Sequence, residues 1–343
     1  HLDVEKHMAE FLGQEACISY SNFLATTSSV IPAFAKRSDV CFVDEECNYG
    51  VVAGLRLARA DVIVFKHNDA EDLKRVMEDH AVACEKLKDG FKGRKFVITE
   101  GVFANRGTIA PLPEIIALKK KHGAWLMLDE SHSIGVLGEG KGLSAHFGVP
   151  ATDIDMQIGS FEHSFGSVGG FCAGAHKIVW HQQLSGAGYC FSAAAPPFYS
   201  AAGLAALALV AKDPPFKKLR ENAWRLKTKL VLVFAAAKAH PKLTLVSDDA
   251  NDVPFALLKL SRPQEPGADL RALEDLVDAL IDRGFCCCVS KYDESVYGRA
   301  SKKTALPALR PPLPPAYRVT GRITVTGCRL DNRVSVRFRW SDN

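Results

Sequence analysis

Short apolar runs, several of them stopping on an acidic residue, recur through the first half of the chain. Val40-Cys41-Phe42-Val43 ends at Asp44, and Asp61 to Phe65 is a second run. Lys95-Phe96-Val97-Ile98-Thr99 ends at Glu100, and Ala124 to Leu128 ends at Asp129. Runs of this length, rich in β-branched and aromatic side chains, read as strands buried on both faces. Helical patterns lie between them, among them Leu112 to His122 with a proline near its start. The alternation continues to about residue 190. It predicts an α/β fold with a mostly parallel central sheet sandwiched by helices. Ligands in such sheets sit beyond the carboxyl ends of the strands, which draws attention to Asp44, Glu100 and Asp129. Any one of them taken alone reads as an acid solvating a turn.

The pattern changes after Pro196-Pro197. A long helical stretch, Phe198 to Ala239, is interrupted at Asp213-Pro214-Pro215. Strand, helix and strand patterns follow at Pro254 to Leu260, Leu270 to Arg283 and Gly284 to Ser290. A proline-rich loop, Pro307 to Pro315, precedes β-like runs at Ile323 to Val325 and Arg333 to Phe338. The expected organisation is a large domain over 1–197, a bridging helical segment over 198–240 and a smaller C-terminal α+β domain over 241–343. That last domain lacks its closing helix and reads as cut short.

Composition narrows the function classes. The chain has 343 residues, 47% hydrophobic and 24% charged, with a net charge of +4 and no dense basic block. Nucleic-acid binding gains no electrostatic support from this. Ten cysteines include no CxxC pair, and the adjacent Cys286, Cys287 and Cys288 fit one buried strand rather than a metal site. A reducing compartment is expected, with cysteines serving as small apolar residues. The longest apolar run, Ala201 to Ala211, is too short to cross a bilayer. The chain opens on His1-Leu2-Asp3 without a signal-peptide pattern, and reads as starting within a longer protein.

Three stretches carry candidate chemistry. The first is Val97-Ile98-Thr99-Glu100-Gly101-Val102-Phe103 with Gly107-Thr108-Ile109-Ala110-Pro111-Leu112. The second runs Asp129-Glu130-Ser131-His132-Ser133-Ile134-Gly135 and on to Gly142. The third is Ile158-Gly159-Ser160-Phe161-Glu162-His163-Ser164-Phe165-Gly166-Ser167-Val168-Gly169-Gly170. In order and spacing they resemble the α-oxoamine synthases, fold-type-I pyridoxal-phosphate enzymes that condense an amino acid with an acyl-CoA. The resemblance is strong from Leu2 to about Pro197 and thins beyond it.

The resemblance implies roles. Asp129 matches the carboxylate that pairs with the pyridinium nitrogen and keeps the ring an electron sink. His132 matches a histidine near the cofactor's phenolic oxygen, or is a remnant packing residue. Ser160 matches the hydroxyl residue that helps hold the phosphate. Gly169-Gly170 gives the backbone a tight turn behind the cofactor. The family's Schiff-base lysine falls on His163, whose secondary amine cannot replace a primary one. A space-filling role suits His163 better than acid–base work. Lys177, the nearest downstream lysine, belongs to another element and is an unsuitable substitute.

Two further departures accompany that loss. The ring-stacking histidine falls on Asn48, which has no aromatic face. In Tyr20-Ser21-x-x-x-Ala25, the glycine that admits phosphate to the backbone is replaced by Phe23. This profile resembles one subgroup of the family, the lysine-free subunits of eukaryotic serine palmitoyltransferase, which pair with a lysine-bearing second subunit. His1-Leu2-Asp3-Val4-Glu5, Phe65-Lys66-His67-Asn68-Asp69 and Leu184 to Ala193 carry that narrower likeness.

What the subgroup implies is a shared active site. The partner would hold pyridoxal 5'-phosphate covalently, and Ser192 would reach across to its phosphate. The pair would condense serine with palmitoyl-CoA at the endoplasmic reticulum membrane, facing the cytosol, with the anchor in a segment preceding this chain. Two alternatives stay open: an inactive regulatory or scaffold homologue, or a homodimeric synthase holding the cofactor non-covalently through Asp129. Arg333 lies near the family's substrate-carboxylate arginine, but the local match is poor and it is not assigned a role.

Overall fold

The structure is a computed structural model and describes residues 1–87, 90–236, 243–245, 252–260, 266–282, 287–290 and 322–326. The chain starts with α1 (Leu2–Leu12), β1 (Ala16–Tyr20), α2 (Phe23–Phe34), β2 (Val40–Asp44), α3 (Tyr49–Ala58) and β3 (Asp61–Phe65). It continues through α4 (Ala70–Glu85), β4 (Lys95–Glu100), α5 (Leu112–His122), β5 (Trp125–Asp129), α6 (Leu143–Phe147), β6 (Met156–Ser160) and β7 (Gly170–Gly174). Helices α7 (His176–Ser185), α8 (Ala187–Cys190), α9 (Pro197–Lys212) and α10 (Phe216–Ala236) follow. The last elements are β8 (Leu243–Leu245), β9 (Phe255–Leu260), α11 (Pro266–Ile281), β10 (Cys287–Ser290) and β11 (Arg322–Thr326).

Seven strands form one sheet in the order β1-β7-β6-β5-β4-β2-β3. The β2, β3, β4, β5 and β6 pairings are parallel, as the apolar runs predicted. Strand β7 runs antiparallel to both of its neighbours. It must, because the nine residues from Phe161 to Gly169 suffice for a hairpin but not for a parallel crossover. Every residue of β2, β6 and β7 is buried, while the edge strand β3 begins exposed. That is the burial expected when helices cover both faces of the sheet.

The hairpin between β6 and β7 is pinned from beneath. Phe161 and Phe165 are buried with Val4, Met8 and Leu12 of α1 and Leu207 of α9. The three residues between those two phenylalanines, Glu162, His163 and Ser164, are exposed. Two anchored aromatics thus force the intervening residues outward. Gly169 closes the turn at φ +111, and an added Cβ would stand 2.7 Å from the Tyr20 carbonyl oxygen. Few other residues could occupy that position.

The described residues divide into two compact units, His1–Lys218 and a second beginning at Leu219. The division follows Lys218 rather than Pro197 because α9 lies on α1 within the first unit. In the second unit β10-β11-β9-β8 form an antiparallel sheet, with α11 burying Leu273 and Val277 one helical turn apart. The interruption expected at Asp213-Pro214-Pro215 is the break between α9 and α10. Cys286, the loop Pro307 to Pro315, and Arg333 to Phe338 lie outside the described residues. Among the described residues, no helix is long and apolar enough to cross a membrane.

Candidate functional site

The carboxyl ends of four parallel strands place Asp44, Glu100, Asp129 and Ser160 along one rim of the sheet. They divide into two kinds. Asp44 organises its own loop: Oδ1 accepts from Glu46 N at 2.9 Å and Oδ2 from Asn68 N at 2.9 Å. His67 Nδ1 lies 2.9 Å from Asp44 Oδ1, and its Nε2 lies 2.8 Å from Thr108 Oγ1. Asp44 is thus the turn-forming acid that any single strand-end acid was expected to be.

Glu100 and Asp129 sit opposite each other on adjacent strands and are both buried. Asn48 joins them. Its backbone N–H donates to Glu100 Oε1 at 2.5 Å, and its Nδ2 donates to Asp129 Oδ2 at 2.9 Å. The same side chain caps α3, with Oδ1 accepting from Gly50 N at 2.8 Å and Val51 N at 3.3 Å. Asn48 is therefore a buried connector, using both ends of its amide. The other Asp129 oxygen, Oδ1, accepts from Ser131 N at 3.0 Å and Ser131 Oγ at 2.6 Å.

Burial raises the pKa of both carboxyls. For Glu100 the nearby Asp129 charge adds to desolvation; for Asp129 the hydrogen bonds from Ser131 and Asn48 and the charge of His163 work the other way. Two buried acids this close resist ionising together, and the pair titrates as a unit. The neighbouring Glu130 is fully buried and is pushed up to about 7 by desolvation, despite hydrogen bonds from Ser133, Leu143 and Gln157.

His132 and His163 meet beside Asp129, with ring centroids 4.3 Å apart. Gly135 permits this approach: at φ +80, an added Cβ would come within 2.3 Å of the Ser164 Cβ on the hairpin. His132 is half-buried, and desolvation aided by His163 lowers its pKa to about 3. His163 is exposed at the mouth. Loss of water on the packed side of its ring lowers its pKa, while Asp129 and Glu162 pull it back up. The Phe23 ring lies edge-on to His163, with centroids 5.5 Å apart.

Ser160 is buried, and its Oγ accepts from Glu162 N at 2.9 Å. The fold thus gathers Asp129, His132, Ser160 and His163. Ser192 stands elsewhere, on an exposed turn after α8, donating to Gly188 O at 2.6 Å. Gly188 N in turn donates to Ser29 Oγ at 3.0 Å, which ties the turn to α2. Lys177 is remote from the rim. Its ammonium lies 5.9 Å from the Trp125 ring at the start of β5, the opposite end of that strand from Asp129.

Sequence reasoning missed Asn48 as a connector, and it missed Glu162 and Glu130 altogether. The signal for Asn48 was its place just before a helix with glycine following, which is the pattern of an Asn N-cap. An acid between Phe161 and Phe165 was the only signal for Glu162.

Residues 1–299 match the family described as aminotransferase class I and II. Among curated proteins, the chain is 42% identical to serine palmitoyltransferase 1 of Dictyostelium discoideum over 215 residues, covering 62% of this chain and 44% of that protein. It is 36% identical to long chain base biosynthesis protein 1c of Oryza sativa subsp. japonica over 320 residues, covering 91% of this chain and 61% of that protein. The chain thus spans only 44% and 61% of the length of these two relatives. Among solved structures, a serine palmitoyltransferase from S. paucimobilis with a bound PLP–myriocin aldimine superposes with a TM-score of 0.73 at 26% identity. That match covers 97% of this chain and 72% of the other.

Proposed function

Because the chain belongs to the aminotransferase class I and II family, we propose that it is the non-catalytic subunit of a heterodimeric serine palmitoyltransferase. The observation that carries this is His163. It stands at the hairpin tip beside His132 and within electrostatic reach of Asp129, where the family places a primary amine. An imidazole cannot form an imine with an aldehyde, so this chain does not hold the cofactor covalently.

The rest of the rim agrees. Asn48 brings an amide rather than a stacking ring to Asp129 Oδ2, and the Phe23 ring stands edge-on to His163 where the family has a glycine. These residues do not fit pyridoxal phosphate as the family seats it. The covalent chemistry then belongs to a lysine-bearing partner subunit, which holds the cofactor. There serine and palmitoyl-CoA condense to 3-ketodihydrosphingosine with release of carbon dioxide and CoA. This chain supplies a supporting face, with Ser192 on an exposed turn, whose hydroxyl would exchange its bond to Gly188 O for one to the phosphate of the partner's cofactor. The names of the Dictyostelium and Oryza relatives support a place in sphingolipid synthesis, and the endoplasmic reticulum membrane is the location this proposal carries with it.

Co-expression with a lysine-bearing second subunit tests this. The two chains should co-purify and together show serine-dependent condensation that neither shows alone. Failure to co-purify, or a pair whose activity survives without this chain, overturns the assignment and leaves an unrelated scaffold role. A second reading, a homodimeric synthase binding the cofactor non-covalently, is favoured by the retention of Asp129, His132 and Ser160 on one rim. A saturable visible absorbance band on the purified chain alone, with added cofactor, would establish it instead.

A further inference from the structure

Helix α2 starts at Phe23, opposite the β6–β7 hairpin. The first N–H groups of a helix have no partner within it, and the aligned peptide dipoles make that end attractive to anions. By the family resemblance, this is where a cofactor phosphate meets the backbone. Here the position already has an anion. Glu162 Oε1 accepts from Phe23 N at 3.1 Å and from Gly169 N at 3.3 Å. The helix's N-cap, Asn22, takes the third N–H, from Ala25 at 2.7 Å. Ser160, the hydroxyl matched to phosphate binding, instead accepts from Glu162's own N–H at 2.9 Å.

Two separate elements therefore converge on the Glu162 carboxylate, the start of α2 and the closing turn of the hairpin, while Ser160 at the end of β6 holds the same residue by its backbone N–H. The positive φ of Gly169 and the two buried phenylalanines hold that turn in place. A phosphate entering the cradle would have to displace the carboxylate from both N–H groups, or bring its two negative charges alongside a third.

We infer that Glu162 is a built-in counter-anion that occupies the phosphate cradle of this chain and excludes phosphorylated ligands from it. The exclusion is a property of this chain's own residues. It deepens the non-catalytic reading by making refusal of cofactor depend on a charge as well as on the missing amine. A heterodimer built this way takes up one cofactor phosphate rather than two.

The test uses inorganic phosphate as the probe and the full chain, with its partner subunit where they co-purify. Glu162→Ala should lower the thermal midpoint, and millimolar phosphate should restore it by bonding to the vacated N–H groups. Phosphate should not shift the unsubstituted protein. By phosphorus NMR titration, phosphate affinity should rise at least about tenfold in Glu162→Ala, the equivalent of one charge-assisted hydrogen bond. Glu162→Gln keeps an acceptor oxygen without the charge. It should fold as the unsubstituted chain does and bind phosphate with intermediate affinity. Equal phosphate affinity in all three proteins, or equal thermal shifts, overturns the inference. Neither result depends on whether the two subunits co-purify, so the two proposals fail separately.

Discussion

The buried base of the strand-end rim and the turn after α8 lie in the same compact unit, and they treat their polar and apolar groups in opposite ways. At the base, the carboxyl groups are buried and satisfied from within: Asp129 by Asn48 and Ser131, Glu100 by Asn48 and Ala104, Glu130 by Ser133, Leu143 and Gln157. On the turn, Phe191 is 89% exposed and Ser192 is exposed beside it, with Phe198 63% exposed at the start of α9. Ser29 and the Tyr20–Tyr189 ring pair hold the turn's backbone, so its outward apolar surface is positioned rather than loose. A working cofactor pocket needs the reverse arrangement, with open bonding capacity inside. The contrast teaches that this chain satisfies its buried acids from within and leaves apolar side chains exposed on a held turn, an arrangement that suits the proposed supporting subunit.

The contrast can be broken most forcefully at Asn48. Asn48→Ala strips the bridge from two buried carboxyls and leaves the start of α3 uncapped. It should cost about 3 kcal/mol of stability by urea unfolding. A loss below about 1 kcal/mol would mean the base is not self-satisfied in the way described.

Glu130 sharpens the same side through pH. Its folded-state pKa is raised to about 7, so its contribution is fully present below the ordinary carboxyl range and is lost as pH rises through 7. Between pH 5 and pH 8 this group should remove about 2–3 kcal/mol of unfolding free energy. Glu130→Gln should flatten that slope in denaturant titrations. His132 carries the opposite sign. Lowered to about 3, its contribution is present above the ordinary imidazole value and is lost as pH falls toward 3. Its ring carbon protons should show no titration by NMR above pH 5.

Predictions for the outer turn concern association and hardly touch the chain's own stability. Phe191→Ala should leave stability within about 0.5 kcal/mol while weakening association with the proposed lysine-bearing subunit about tenfold by titration. Ser192→Ala should have the smallest structural effect, since its hydroxyl bonds only carbonyls of its own turn. It should lower the activity of the assembled pair while leaving its association unchanged. Unaltered activity would remove Ser192 from the shared site.

Much of the frame was legible before any coordinates. The apolar runs ending at Asp44, Glu100 and Asp129 are strands because fully buried strands require continuous apolar sequence, and the structure ends them at those residues. The break at Asp213-Pro214-Pro215 was readable because proline cannot donate within a helix. The strand β7 was harder to foresee. Gly170-Phe171-Cys172-Ala173-Gly174 has glycine at both ends and little β-branching, and its burial comes from neighbouring strands.

The division between sequence and tertiary structure is sharpest at the rim. The sequence by itself determined the α/β alternation, the family likeness and the imidazole at position 163, because each is a matter of residue identity at a local spacing. Which acid organises a turn and which joins a buried acid pair was decided only by the order of strands, since Asp44 and Asp129 end similar runs. The bridges from Asn48 to Asp129 and from Glu162 to Phe23 span 81 and 139 positions. No periodicity encodes a pairing at that separation. It exists because the folded sheet brings those strand ends and the start of α2 within hydrogen-bonding distance.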